Sequence, residues 1–282
     1  MTALSLLRLV PEPGKISGKI LYGEKDVLEM ADDEIREFRG NEIAMIFQDP
    51  MTSLNPVLRV GFQIEEAMDA HQRFTRQQSR ERVVPMLQRV RIPAAKDRVK
   101  DFPHQFSGGM RQRAMIAMGV SNEPSLLIAD EPTTALDVTV QASIIELLRD
   151  LSRELRAAVI LITHNMALVA SLCNRVIVMY AGRIVEEGPT RAIFKNPQHP
   201  YTWSLLRSMP RVDETAKERL ISIKGVPPDM ARPPAGCKFH PRCRFRVDRC
   251  FTEEPALEEV DPGQRARCWV LMKNIQNPEA SQ

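Results

Sequence analysis

The sequence predicts an α/β protein built on a mostly parallel sheet with helices on both faces. Three observations carry that expectation. The runs Ile43 to Phe47, Leu126 to Ala129 and Val159 to Ile162 are apolar and β-rich, with no alternation of polar residues. Strands of that kind are buried on both faces, which is the habit of parallel sheets covered by helices. Helical patterns lie between the runs. The strongest, Thr139 to Leu155, places Ile144, Ile145, Leu147, Leu148, Leu151 and Leu155 at helical spacing.

Along the chain, Met1 to Val10 carries one Arg and ends at Pro11. It has neither a charged start nor a small-residue cleavage site, so no signal peptide is expected. From Gln63 to Val90 the chain is charged and helix-prone, which suggests an inserted helical subdomain spanning about residues 52–110. Arg175 to Tyr180, Ala181-Gly182 and Arg183 to Glu186 read as a hairpin. After Pro210 proline, arginine and cysteine become frequent and periodicity fades, so a boundary is expected there: a first domain over 1–210 and an extension over 211–282. No internal repeat is evident. Of the 282 residues, 43% are hydrophobic and 27% charged, as in ordinary globular proteins. The net charge of +3 is too small to imply nucleic-acid binding. The longest apolar stretches, such as Ala157 to Ile162, fall far short of a membrane span. Cytoplasmic residence is then the default, and five cysteines in such a chain read as metal ligands or free thiols rather than disulfides.

Each apolar run ends in polar residues. The first ends at Gln48, the second at Asp130-Glu131, the third at Thr163-His164. Ligands bind at the carboxyl ends of parallel strands, so three strands delivering these groups to one edge suit nucleotide hydrolysis. Loop exposure explains a polar residue after any one strand. It does not explain all three together with a further segment, Phe106-Ser107-Gly108-Gly109-Met110-Arg111-Gln112-Arg113. Two glycines there permit close backbone approach, and the residues through Val120 are helix-prone. Ser107 and the amides of Gly108 and Gly109 would stand at a helix N-terminus, a ready anion site, although alone they could be a plain cap and turn.

These residues resemble a family. Phe106 to Met110 looks like the signature sequence of the ATP-binding-cassette ATPases, at the usual distance before a Walker B strand, Leu126 to Asp130, followed by Glu131. Thr134-Ala135-Leu136-Asp137 resembles the D-loop, Gln48 the Q-loop glutamine and His164 the switch histidine. Met110 replaces the commoner Gln of the signature, as it often does in the peptide-importer branch. Phe47 to Pro56 and His199-Pro200-Tyr201-Thr202 also resemble the oligopeptide and dipeptide importer ATPases. The resemblance implies a P-loop-type fold that binds ATP and Mg²⁺ and hydrolyses ATP to drive uptake of peptides. It implies that Asp130 holds Mg²⁺ mostly through water, that Glu131 is the general base, that His164 contacts the γ-phosphate and that Gln48 senses Mg²⁺ and the water. Two subunits of this family sandwich ATP head to tail, so Ser107, Gly108, Gly109 and Met110 would act in trans and Asp137 would lie at the dimer interface. The implied partners are a second ATPase subunit, identical or related, two membrane permease subunits and an extracytoplasmic peptide-binding protein. The implied location is peripheral, on the cytoplasmic face of the inner membrane. A soluble cassette acting on DNA or ribosomes is the other class, but neither tandem cassettes nor a long coiled-coil insertion is present.

No G-x-x-x-x-G-K-[ST] string exists in the sequence. Gly14-Lys15-Ile16 and Gly18-Lys19-Ile20 lack both the Ser or Thr and the earlier Gly. The family places this phosphate loop immediately before a helix that reads like Thr2 to Leu9. The expectation is therefore a chain that starts just after its loop, through a late start codon or a gene broken upstream, with a naturally shortened subunit as the alternative. Such a chain would lack a central strand, leave part of its sheet uncovered and be inactive alone. It could be a remnant or half-partner that only completes another subunit's site.

Cys237, Cys243, Cys250 and Cys268 leave 5, 6 and 17 residues between them, unlike the short C-x₂-C steps of common zinc sites. Four thiolates suit a [4Fe–4S] cluster or Zn²⁺. The tail resembles the C-terminal extension of peptide-importer ATPases, some of which hold an iron–sulfur cluster. The cluster is the first reading, Zn²⁺ with His240 as a spare ligand the second, and free thiols the third. Cys173 reads as packing. Arg232, Arg242, Arg244, Arg246 and Arg249 lack an apparent aromatic stacking platform and read as a solvated or partner-facing surface, not a nucleic-acid site.

Overall fold

The computed structural model describes residues 1–49, 53–71, 74–134, 136–209 and 223–276. They form two compact units, Met1–Leu168 and Val169–Gln282. The elements in order are α1 (Thr2–Leu6), β1 (Leu21–Tyr22), β2 (Lys25–Asp26), α2 (Asp32–Asn41), β3 (Ile43–Ile46), α3 (Val60–Asp69), α4 (Arg76–Arg89), α5 (Ala95–Arg98), α6 (Gly108–Val120), β4 (Leu126–Asp130), α7 (Val138–Leu155), β5 (Ala158–Ile162), α8 (Met166–Leu172), β6 (Arg175–Tyr180), β7 (Arg183–Pro189), α9 (Thr190–Lys195), α10 (Pro200–Arg207), α11 (Arg249–Thr252), β8 (Glu258–Asp261) and β9 (Gln264–Ala266).

In the first unit the three apolar runs form one parallel sheet in the order β3-β4-β5, with Ile43 opposite Leu126 and Leu126 opposite Ala158. Leu127, Ile128 and Ala129 of the central strand are buried. β5 departs from the expected burial on both faces. It pairs with β4 only, and its Ile160 is 39% exposed. Among the described residues no strand covers its other side, so the sheet ends there on an apolar edge. On the opposite flank, Ala3, Leu7, Val27, Met30, Ile35 and Phe38 pack with Ile43 and Ile128. The guanidinium of Arg39 donates to Leu7 O at 2.7 Å and that of Arg8 to Met30 O at 2.6 Å, tying the end of α1 to this core.

The helical insertion forms as α3, α4 and α5. Its apolar stripe, Val60, Ile64, Met68, Val83, Met86 and Leu87, is buried. Thr75 starts α4 with a capping box: its hydroxyl accepts from Gln78 N–H while its own N–H donates to the Gln78 side chain at 2.9 Å. The amphipathic helix expected at Thr139 to Leu155 is α7, whose residues Ile144, Ile145, Leu147, Leu148 and Leu151 are buried.

The second unit holds a four-stranded antiparallel sheet, β6-β7-β9-β8. The expected hairpin is β6–β7. The expected boundary at Pro210 falls outside the described residues, and the compact division lies between Leu168 and Val169 instead. Backbone pairing is the reason: Glu186 pairs with Ala266 and Glu187 with Arg265, so hairpin and extension share one sheet.

The His-Pro-Tyr-Thr motif gains a physical meaning here. Glu186 is fully buried and its carboxylate accepts three hydrogen bonds, from Gln198 N–H at 2.7 Å, His199 N–H at 3.0 Å and Gln264 Nε2 at 2.7 Å. His199 then caps α10, its Nδ1 accepting from Tyr201 N–H at 3.0 Å, and burial pushes its imidazole down to about 3, so the ring stays neutral. Pro200 occupies the first helical turn, where no backbone donor is needed. Tyr201 packs its ring 4.7 Å from Tyr180 and 5.2 Å from Phe239. Burial pushes the Glu186 carboxyl up while its hydrogen bonds pull it down. Replacing Glu186 with Ala leaves three buried donors unpaired, and should cost about 3 kcal/mol or more. Denaturant unfolding followed by tryptophan fluorescence measures this; a loss below about 1 kcal/mol would show that the carboxylate does not hold the extension to the hairpin.

Candidate functional site

Because β3, β4 and β5 run parallel, their carboxyl ends lie on one edge of the sheet. Gln48 follows β3, Asp130 closes β4 with Glu131 next, and Thr163-His164 follows β5. The edge brings three of the expected groups into contact through one carboxylate. Glu131 Oε1 stands 3.0 Å from His164 Nδ1, and Oε2 accepts from Gln48 Nε2 at 3.3 Å. A residue with no role expected for it joins them: the Thr134 hydroxyl donates to Oε2 at 2.8 Å. The signal for it in the sequence was a hydroxyl three residues after the carboxylate.

The backbone at this point is unusual. Glu131 has φ of 45°, a left-handed conformation that residues with a Cβ seldom adopt. Its N–H donates to Ile162 O at 2.8 Å, clamping the end of β4 to the end of β5, and Thr134 N–H donates back to Glu131 O at 3.2 Å. The turn folds the Thr134 side chain onto the carboxylate at its own start. The His164 hydrogen bond, followed by that of Thr134, holds the Glu131 carboxyl below its usual range, against partial burial. Its side chain remains 25% exposed, so water reaches it. Asp130 is shifted the other way. Burial raises its carboxyl, and Glu131 pushes it further up. An ionised, solvent-reached carboxylate beside an imidazole and an amide can accept a proton from water, and a desolvated carboxyl beside it is relieved by a cation.

Ser107 caps α6, its hydroxyl accepting from Met110 N–H at 3.3 Å. Asp137 caps α7 in the same way, accepting from Val140 N–H at 2.9 Å. The two helix starts pack together. A Cβ on Gly108 would come within 3.4 Å of Leu136 and one on Gly109 within 2.8 Å of Val140, so the glycines permit this approach. Gly108 and Gly109 thus lie against Leu136 and Val140, at the start of α7. Ala135 in the run before Asp137, and Pro50, Met51 and Thr52 in the run after Gln48, lie outside the described residues.

The four cysteines of the tail do not meet the expectation of a ligand set. Among the described residues no group of three or more His, Cys, Asp or Glu side chains stands where it could hold a metal ion. The Cys268 thiol is spent locally, its Sγ 3.0 Å from Val270 O and 3.3 Å from Val270 N, and the backbone N–H of Cys237 donates to Cys250 O at 3.0 Å. They are nonetheless near neighbours. Burial pushes Cys243 up to about 12, with Cys237 and Cys250 adding to it, and burial likewise raises Cys268, helped by the other three thiols. Cys173 is half-buried and packs beside the Val176–Val178–Tyr180 core. The tail arginines differ from their reading as a surface without aromatic partners. Arg244 lies over Trp203 at 4.6 Å, Arg246 over Phe251 at 5.7 Å and Arg249 over Trp269 at 3.5 Å, so these guanidinium groups stack within the chain.

Comparison with known proteins gives consistent matches. Residues 2–134 match the ABC transporter family, and residues 185–250 match the oligopeptide/dipeptide transporter C-terminal region. The chain is 49% identical over 271 residues to a probable peptide ABC transporter ATP-binding protein of Sinorhizobium fredii, covering 95% of this chain and 81% of the relative. It is 48% identical over 279 residues to the dipeptide transport ATP-binding protein DppD of Escherichia coli, covering 99% and 85%. The oligopeptide transport ATP-binding protein OppD of Bacillus subtilis is 45% identical over 285 residues, covering 99% and 80%. Among solved structures, the ATP-binding cassette MJ0796, dimeric and bound to ADP and Pi, superposes with a TM-score of 0.56 at 26% identity, covering 62% of this chain and 74% of that one. CbiO1 from Clostridium perfringens, part of the transporter complex cbiONQ, gives a TM-score of 0.58 at 28% identity, covering 68% and 73%.

Proposed function

From the premise that this chain belongs to the ABC transporter ATPases of the oligopeptide/dipeptide importer type, we propose that Glu131 is the general base of an ATP hydrolysis that powers peptide uptake. The observation that carries this reading is the carboxylate of Glu131, ionised, reached by solvent and hydrogen-bonded by residues at the ends of all three parallel strands. In the reaction the water oxygen bonds to the γ-phosphorus as the bond to the ADP oxygen breaks, and Glu131 takes the water's proton. His164 contacts the γ-phosphate and Gln48 senses the water. Asp130 is the residue that fits Mg²⁺, since its desolvated carboxyl beside Glu131 is relieved by a cation. The ion supplies neutralisation of phosphate charge. Ser107, Gly108, Gly109 and Met110 serve the ATP held by a second ATPase subunit, and Asp137 lies at that contact. Two permease subunits and an extracytoplasmic peptide-binding protein complete the machine, which places the chain peripherally on the cytoplasmic face of the inner membrane. Among the described residues no helix is long and apolar enough to cross a membrane.

In membrane vesicles carrying the transporter assembled with this chain extended upstream through a phosphate-binding loop, Glu131→Gln should keep ATP binding and lower both hydrolysis and peptide uptake by roughly 10²-fold or more. Near-normal turnover would remove Glu131 from the role of base. The same assay on the isolated 282-residue polypeptide should return no hydrolysis and only weak ATP binding, because no G-x-x-x-x-G-K-[ST] run lies within it. Micromolar, Mg²⁺-dependent binding by that polypeptide would place the phosphate site elsewhere.

The second assignment is a [4Fe–4S] cluster on Cys237, Cys243, Cys250 and Cys268, with Zn²⁺ as the alternative. Its support is the mutual nearness of four buried or half-buried thiols, of which Cys237, Cys243 and Cys268 are raised by burial and further by their neighbours. The arrangement as it stands does not fit a ligated ion, so side chains would have to turn toward a common centre. Protein purified without oxygen should be brown, with iron and sulfide near four atoms each per chain. One zinc in a colourless protein moves the site to Zn²⁺, and neither metal leaves four free thiols.

A further inference from the structure

We propose that Thr134 is a positioning residue for ATP hydrolysis, which fixes Glu131 Oε2 so that Oε1 is the oxygen left to take the proton. The inference rests on the reading of Glu131 as the base, and it starts from acceptor arithmetic. Each carboxylate oxygen offers two acceptor positions. Oε2 uses both, one for the Thr134 hydroxyl at 2.8 Å and one for Gln48 Nε2 at 3.3 Å. Among the described residues Oε1 uses one, for His164 Nδ1 at 3.0 Å, and keeps one open. An ionised carboxylate only accepts, so all three partners donate, and the side chain is 25% exposed, so water reaches it. A water that gives up its proton therefore meets one oxygen and one direction.

Thr134 is suited to this task by its place in the chain. The left-handed backbone at Glu131 and the hydrogen bond from Thr134 N–H to Glu131 O at 3.2 Å close a tight turn. The hydroxyl is thus carried by the same turn as the base and moves with it. Gln48 and His164, by contrast, arrive from β3 and β5. Three donors from three segments hold the group, and Thr134 is the one whose position is fixed relative to Glu131 by local backbone.

The test compares Thr134→Val, Thr134→Ser and Glu131→Gln in the assembled transporter, with kcat and KM for ATP measured separately. Thr134→Val should lower kcat about tenfold, the loss of one charge-assisted hydrogen bond, with KM unchanged. Thr134→Ser keeps the hydroxyl and should restore kcat, and Thr134→Ala stands in if valine disturbs assembly. A Thr134→Val enzyme with unchanged kcat, or a serine variant as impaired as the valine one, overturns the role of Thr134 while leaving Glu131 as base. Turnover retained by Glu131→Gln overturns the base itself, and the Thr134 assignment with it.

Discussion

The parallel pairing of β4 between β3 and β5 is the constraint on which the rest of the site depends. Parallel strands put all their carboxyl ends on one side, so any polar residue that follows them is delivered to a common edge. Here that edge collects an amide, two carboxylates and an imidazole from positions 48, 130, 131 and 164. The clamp from Glu131 N–H to Ile162 O is the detail that turns proximity into contact. It draws the first residue beyond β4 toward β5 and forces the left-handed backbone, which aims the carboxylate at His164 and back at Thr134. Strain of this sort is stored where the surrounding structure over-determines the backbone. The buried β4 and the apolar face of α7 supply that rigidity.

Much of this was legible in the sequence, for physical reasons. Runs such as Leu126 to Ala129, apolar with no alternation and short, suit strands covered on both sides. Ser107 before Gly108-Gly109 announces a capped helix, and the spacing of Ile144, Ile145, Leu147, Leu148 and Leu151 announces an amphipathic one. What did not show was anything that depends on chain meeting chain at long range. Val159 to Ile162 reads the same as the other runs, yet β5 stands at the edge of its sheet, because burial of a strand depends on its neighbours and not on its own composition. Thr134 was visible only as part of a motif. Its hydrogen bond depends on the positive φ at Glu131, which no residue type there advertises.

The second unit teaches the same lesson. The change of composition near Pro210 looks like a boundary, but strand pairing crosses it, and Glu186 reaches Gln264 across 78 positions. The His-Pro-Tyr-Thr motif marks the hinge of this arrangement: a neutral buried imidazole capping one helix while its backbone is held by a buried carboxylate. The cysteines show the limit of spacing arguments. Their separations are compatible with a cluster, but the Cys268 thiol is turned to the backbone of Val270, and burial pushes the Cys237, Cys243 and Cys268 thiols up. The arginines likewise found aromatic faces that linear order does not reveal, with Arg249 on Trp269 across 20 positions.

The central claim is that the strand ends converge to keep Glu131 ionised and poised. The most direct measurement of it is the titration of the Glu131 side-chain carboxyl by ¹³C NMR, assigned by loss of its signal in Glu131→Gln. The account requires a midpoint below the ordinary glutamate value of 4.5, chiefly through His164 and then Thr134. It requires that midpoint to rise when His164 is replaced by Ala. A midpoint at or above the ordinary value, indifferent to His164, would mean that the four residues share an edge of the sheet without forming a site.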